Sequence, residues 1–521
     1  MTRAKRIAAW GLFALVLLVA SGWLLADRFT PPATGARSHA LPLQAAQTPL
    51  DQELAPLLSA HPGKTGVLVV PDGLDAFAAR ALSARRAGRS LDLQYYIWHD
   101  DLTGRLLGRE AYLAAERGVR VRMLLDDMNA EGLDSKLMLL DAHPNIEIRL
   151  YNPFRNRRGL WRVLELVQRI FSVNHRMHNK AWIADGRVAV VGGRNIGAEY
   201  FNAGEHVNFR DLDLVLFGPV VAEASDIFDD YWNSAAAVPL TALADKHPRE
   251  LQALLVTIRA ESESLAARRY LDRVDASPTV RAYASRKLTP IWSDRLHIHA
   301  DPPLKWKQDD RGDWLVSRLE TTLRGTRSKA LVISPYFVPG VDATQGFVDL
   351  VARGARVGVI TNSLAANDVV AVHGGYSKYR DDLLRGGVRL YEIRAQARPE
   401  QTGGTSLFGS SGASLHTKAF LVDDARGFIG SFNMDPRSTD LNTEMGVLFD
   451  DPRIAAALRG EYLRLASPEL SYWVFLDSSG EVRWLDRAPR PPLVLDHEPD
   501  TGKLQRATNR VLGWLPIESQ L

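Results

Sequence analysis

Apolar and polar positions along the chain fall into three regimes. The first is an uncharged run from Ile7 to Ala26 behind Arg3, Lys5 and Arg6. Twenty residues at about 1.5 Å each span roughly the 30 Å of bilayer hydrocarbon. That length favours a signal anchor over a cleaved signal peptide, whose apolar region is shorter. The basic flank orients it, so residues 1–6 are expected in the cytoplasm, 7–26 in the inner membrane, and the body beyond Asp27 in the periplasm of a bacterial cell. The second regime, 27–62, carries Pro31, Pro32, Gly35, Pro42 and Pro49 with no sustained period and reads as a tether. From Gly63 onward β-rich runs alternate with amphipathic helical patterns. Strands are expected at Val67–Val70, Leu91–Trp98 and Val119–Leu125, with helices at Ala76–Ala87 and Leu106–Arg117. Such alternation predicts an α/β fold with a largely parallel sheet.

A long-period repeat then divides the body. The strand that begins at Ser90 is echoed from Ser328, an offset of 238, and Gly118-Val-Arg-Val121 is echoed by Gly354-Ala-Arg-Val357, an offset of 236. The same domain therefore occurs twice, at 63–245 and at 301–521, joined by a charged segment at 246–300. Two cores suit a chain of 521 residues. His297 and His299 lie in the joining segment, and with no further ligand nearby they read as a strand face rather than a metal site.

The repeat also carries the chemistry. His178, Lys180, Asp185 and Asn195 in the first half match His416, Lys418, Asp423 and Asn433 in the second, at separations of 2, 5 and 10 residues. Residues two apart on a strand share a face, so each His projects beside its Lys. Lysine neutralises the non-bridging oxygens of a phosphodiester, while one histidine attacks and the other moves protons. That scheme needs no metal and no cofactor. Asn195 and Asn433 follow Gly-rich turns and are expected to donate to the same oxygens. Asp185 and Asp423, at strand ends, are expected to give structural support. Asp211 and Glu444 follow the two motifs at comparable distances and are candidates to orient the imidazoles.

These motifs resemble the phospholipase D superfamily from about residue 63 to the C-terminus. Leu93-Gln-Tyr-Tyr-Ile-Trp-His-Asp-Asp-Leu-Thr-Gly104, Arg176 to Lys180, Gly192 to Gly197, Asn433 to Ser438 and Leu515 to Glu518 are similar to bacterial cardiolipin synthases of the C type. The resemblance implies two tandem α/β sandwich domains related by a pseudo-twofold axis, with the motifs facing across the seam. It implies His178 as the nucleophile and His416 as the general acid and base. It also implies a phosphatidyl group passing through phosphohistidine to phosphatidylglycerol, with phosphatidylglycerol or phosphatidylethanolamine as donor. The first half departs from the Gly-Ser-x-Asn turn, having Gly193 and Arg194 after Gly192, and Arg194 is expected to replace the missing hydroxyl contact.

Charge and composition narrow the substrate. A net charge of +3 and 24% charged residues leave no polycationic field, which argues against a nucleic-acid partner. The absence of cysteine removes thiolate metal sites and cysteine nucleophiles. Phe154 to Phe171 mixes basic residues with Leu160, Leu164, Val167 and Phe171, a spacing that suits a lipid-guiding helix or a surface helix packed on the core. A hydrolytic phospholipase D, a tethered nuclease and an inactive lipid-binding scaffold are the alternatives, and both motif copies being complete disfavours the last. No accessory protein is named by the sequence.

Overall fold

The computed structural model describes residues 10, 35–44, 47–130, 133–154, 156–157, 165, 174–205, 207–243, 256, 260–395, 415–515 and 517–520. The expected anchor at 7–26, apart from residue 10, and most of the 154–171 segment lie outside the described residues. No described helix is long and apolar enough to cross a membrane.

Helix α1 (Pro49–Ala60) precedes the first domain. The domain then runs β1 (Thr65–Val70), α2 (Gly73–Arg86), β2 (Ser90–Tyr95), α3 (Leu102–Glu116), β3 (Arg120–Asp126), α4 (Asp134–Asp141) and β4 (Ile146–Tyr151). It closes with β5 (Ala181–Ala184), β6 (Val188–Gly192), β7 (Asp213–Phe217), α5 (Val220–Trp232) and β8 (Ala237–Pro239). Joining elements α6 (Leu265–Asp275), α7 (Pro278–Ala284) and β9 (Ile291–Ser293) follow. The second domain contains β10 (Leu296–Ala300), α8 (Leu315–Arg324), β11 (Lys329–Ile333), α9 (Gly340–Ala352), β12 (Arg356–Asn362), α10 (Val370–Arg385) and β13 (Arg389–Ile393). After them come β14 (Lys418–Val422), β15 (Arg426–Gly430), β16 (Met445–Asp450), α11 (Pro452–Leu465), β17 (Ser471–Leu476), β18 (Val482–Asp486), β19 (Leu493–Leu495) and α12 (Lys503–Trp514).

The first sheet has the order β8-β4-β3-β2-β5-β6-β7-β1-β9 and the second β10-β16-β15-β14-β11-β12-β13-β17-β18-β19. Read from opposite ends, β8 to β1 and β17 to β10 follow one plan, so the sequence repeat is a repeat of topology. The expectation of a largely parallel sheet is corrected. Among the described strands only β2, β3 and β4, and their counterparts β11, β12 and β13, pair in parallel. Each motif strand enters antiparallel to the first strand of the βαβ unit and turns straight back through a hairpin.

Two expected boundaries also move. Residues 35–62 are not all tether: Ser38 N donates to Asn233 Oδ1, Ala40 N donates to Asp229 Oδ2, and Arg122 and Arg149 donate to the carbonyls of Ser38 and Ala36. Thr48 and Asp51 cap α1 reciprocally, and Leu50 and Leu54 are buried. A backbone held by arginines from the domain leaves no hydrophobic period to read, which is why this strap resembles a linker in sequence. At the other junction, β10 is an integral strand of the second sheet and β9 extends the first, so the joining segment ends before residue 296.

Three apolar layers result. One packs α2 and α3 on the outer face of the first sheet, and another fills the outer face of the second. The central layer is shared: Ile183, Val191 and Leu214 from the first sheet and Leu421, Ile429 and Val447 from the second meet in one cluster with α5 and α11. A core drawn from both halves fixes their relative placement, and the functional side chains lie in that seam.

Candidate active site

Each motif begins just before its hairpin, where the chain crosses to the other half. His178 N donates to Thr443 O at 2.8 Å, and His416 N donates to Arg210 O at 2.7 Å. Short bridges pair Met177 with Thr443 and Leu415 with Arg210. The contacts are reciprocal, each half giving its histidine and receiving the other's loop.

The consequence appears at the rings. His178 Nδ1 lies 2.8 Å from Glu444 Oε2, and His416 Nδ1 lies 2.6 Å from Asp211 Oδ2. Both expected carboxylates are therefore present, but crossed: each imidazole is oriented by the other domain. A carboxylate accepts, so Nδ1 carries the proton and Nε2 presents its lone pair. Tyr96 meets the His178 ring edge-on at 5.1 Å, and Tyr200 does the same for His416.

Lys180 and Lys418 are buried and equivalent, each Nζ donating to the carbonyl of its own histidine at 2.6 Å. Burial lowers Lys180 to about 7 and Lys418 to about 8. Burial together with these two ammoniums depresses both imidazoles well below their ordinary value. Burial raises Glu444 to about 7 and also raises Asp211. The site thus holds two neutral rings beside two buried lysines, with a carboxylate behind each ring.

Asp185 and Asp423 lie away from the rings. Asp185 accepts from the backbone N–H of Gly88, Arg89 and Ser90, and Asp423 from those of Arg327, Ser328 and Lys329. They tie the motif hairpin to the strand beside it. Asn195 differs from expectation: Oδ1 accepts from Ile97 N and Nδ2 donates to Tyr200 Oη, so its amide first fixes the surrounding loop. Asn433 is buried, and its side-chain oxygen has no partner among the described residues. Arg194 does not replace the missing hydroxyl. It donates to the carbonyls of Val70, Pro71, Tyr200 and Asp211 and never reaches the Asp211 carboxylate. Gly193 supplies the physical reason: a Cβ there would collide with that carboxylate. In the second half Ser431 occupies the position and donates to Glu444 Oε2 at 2.5 Å.

Several supporting residues escaped the sequence reading. Ser438 Oγ donates to Glu444 Oε1 at 2.9 Å. Buried Lys305 donates to Asp301 and to the carbonyls of Ser438 and Asn442, while Asp301 accepts from Glu444 N at 3.0 Å. Asp126 accepts from Met177 N, and its counterpart Asn362 makes two bonds to Leu415. These last two close the duplicated strands that begin after Gly118 and Gly354, so the repeat itself held their signal. Among the described residues His99, Asp101 and Glu199 form one cluster of metal-ligand types. Asp101 already accepts from Gly104 N and Ala198 N, which gives the cluster a structural task.

Paired sheets with two His-x-Lys motifs across a common seam define the class: a two-domain phospholipase D-like enzyme. A family model described as cardiolipin synthase, PLD-like domain, matches residues 83–232 and 319–466. The chain belongs to that family. It is 40% identical over 470 residues to cardiolipin synthase C of Escherichia coli strain K12, covering 90% of this chain and 99% of that one. A Helicobacter pylori protein with no assigned function is 33% identical over 419 residues, covering 79% and 81% of the two chains. Among solved structures, phosphatidylserine synthase of Haemophilus influenzae matches with a TM-score of 0.55 over 90% of this chain and 99% of its own. At 14% identity, that likeness concerns the fold.

Proposed function

We propose that this chain makes cardiolipin by passing a phosphatidyl group through phosphohistidine to phosphatidylglycerol. The observation that carries the proposal is the pair of neutral imidazoles, each aimed by a carboxylate of the opposite half, beside two buried lysines. In the first step His178 Nε2 attacks phosphorus and the P–O bond to the donor headgroup breaks. His416, which takes up a proton from water at Nε2 once the anionic phosphodiester is bound, gives that proton to the departing alcohol, glycerol from phosphatidylglycerol or ethanolamine from phosphatidylethanolamine. In the second step a glycerol hydroxyl of phosphatidylglycerol gives its proton to His416 and attacks phosphorus, breaking the P–N bond. Arrival of the anionic phosphodiester offsets Lys180 and Lys418, which restores basicity to His416 when an acid is required. Water in place of the second lipid would turn the same steps into phospholipase D hydrolysis.

The uncharged run at 7–26 supports a single-pass anchor in the bacterial inner membrane, with the body on the periplasmic side. A periplasm-dependent reporter fused after Leu521 tests the topology, and activity of a cytoplasm-only reporter contradicts it. For the chemistry, purified protein is incubated with phosphatidylglycerol, with and without phosphatidylethanolamine, and the lipids are weighed by mass spectrometry against a His178→Ala blank. Cardiolipin above the blank supports the transferase, and its dependence on phosphatidylethanolamine identifies the donor. Phosphatidic acid alone makes the chain a hydrolase.

A further inference from the structure

The last helix, α12, faces the wrong way for a core element. Gln505, Asn509 and Gly513 turn toward the body, where Gly513 abuts Gly374 of α10 and Asn509 Nδ2 donates to Ser377 Oγ at 3.4 Å. The outward face carries Leu504, Ala507, Val511 and Trp514, spaced by three and four residues so that they form one stripe, with Leu515 continuing it. Leu504 is 75% exposed, Val511 55% and Trp514 79%. A helix normally buries its apolar stripe, and this one buries its polar side.

Fraying does not account for the exposure, because both ends are held. Before the helix, Glu498 accepts from Arg380 at 2.8 Å; after it, Glu518 accepts from Tyr379 and from Lys378. Lys503 and Arg510 are exposed along one edge of the stripe, and no acidic residue occurs between Lys503 and Trp514. The helix also touches the site's surroundings. Gln505 Nε2 donates to Leu364 O, in the loop after β12 whose Asp368 acts on Lys418 and accepts from Tyr336.

We propose that α12 is an interfacial helix that lies in the surface of an anionic phospholipid bilayer, with its stripe at the boundary between headgroups and acyl chains. Tryptophan and short aliphatic residues suit that depth, and a lysine and an arginine on one rim suit lipid phosphates. Docked this way, the helix sets the second half of the seam against the bilayer, as a contact separate from the 7–26 run. The inference concerns where the body rests and does not depend on which lipid reacts.

The chain has no cysteine, so a single one can be introduced for labelling. Full-length Ala507→Cys, carrying a nitroxide, is reconstituted into vesicles of phosphatidylcholine alone or of phosphatidylcholine with phosphatidylglycerol. Collisions with oxygen and with an aqueous nickel chelate report its depth. In phosphatidylglycerol vesicles the label is expected to favour oxygen over nickel. Adding Lys503→Gln and Arg510→Gln weakens docking roughly 10- to 30-fold at low salt, at about 1 kcal/mol for each basic residue near an anionic surface. A water-like label in anionic vesicles overturns the proposal. Immersion that ignores lipid charge and both substitutions overturns the anionic assignment. Protection in lipid-free detergent that grows with protein concentration assigns the face to a second copy instead. None of these readouts uses turnover, so they stand apart from the test of the transferase.

Discussion

Substituting Glu444 with Gln separates the electrostatic role of this residue from its shape. The carboxylate accepts from His178 Nδ1 at 2.8 Å and from the hydroxyls of Ser431 and Ser438, and an amide of nearly the same volume can keep its oxygen on His178 and Ser431 and donate its NH2 to Ser438 Oγ. What disappears is the negative charge behind a ring that, on the proposed mechanism, becomes cationic once its Nε2 bonds to phosphorus. Two unit charges about 4 Å apart interact by about 4 kcal/mol at an effective dielectric near 20. That loss, equivalent to about a thousandfold in rate, is expected in kcat. Stability should move little or rise, because burial already holds Glu444 up to about 7 and a neutral amide avoids the desolvation cost. The assay is initial-rate cardiolipin formation beside a thermal melt of the same preparation. A folded Glu444→Gln protein within tenfold of the parent kcat refutes the argument that the opposite half activates His178.

Three further outcomes are expected. His416→Ala should lose roughly 10²–10⁴ in rate with natural donors but much less with a nitrophenyl phosphodiester, whose leaving group needs no acid, and should accumulate labelled phosphoprotein that His178→Ala cannot form; label persisting in His178→Ala would reverse the assignment. The pH profile of kcat/KM should peak near 7. Below it Glu444, raised to about 7, loses its charge, and above it Lys180 and then Lys418, lowered to about 7 and about 8, lose theirs; if Lys418→Arg leaves the alkaline limb unmoved, that limb does not belong to Lys418. Lys305→Met leaves buried Asp301 without its cation and should cost about 3–5 kcal/mol of stability, read as a lowered Tm, while a melt within about 1 °C of the parent rejects that role.

The chemistry was more legible than the architecture around it, for a physical reason. Repetition at fixed spacing exposes His178, Lys180, His416 and Lys418 without any knowledge of pairing, while Asp211 and Glu444 were readable only as carboxylates that follow the two motifs at comparable distances. Their crossing was not, since local spacing says nothing about which half a loop meets. Strand direction was hidden because a buried strand has the same apolar run in either sense, so the sequence does not tell that β5 and β14 enter antiparallel. The strap at 35–44 and helix α12 escaped for related reasons. One is held through its backbone, and the other reverses the rule that apolar stripes face inward.

The exchange of carboxylates between halves also acts as an interlock. Any motion that parts the two sheets withdraws Glu444 from His178 and Asp211 from His416 together. On the proposed division of labour, water admitted by such an opening meets a covalent intermediate whose base has just lost its alignment. The same movement that would expose the phosphohistidine disarms its hydrolysis, and an isolated half of the chain carries a histidine with no carboxylate to aim it.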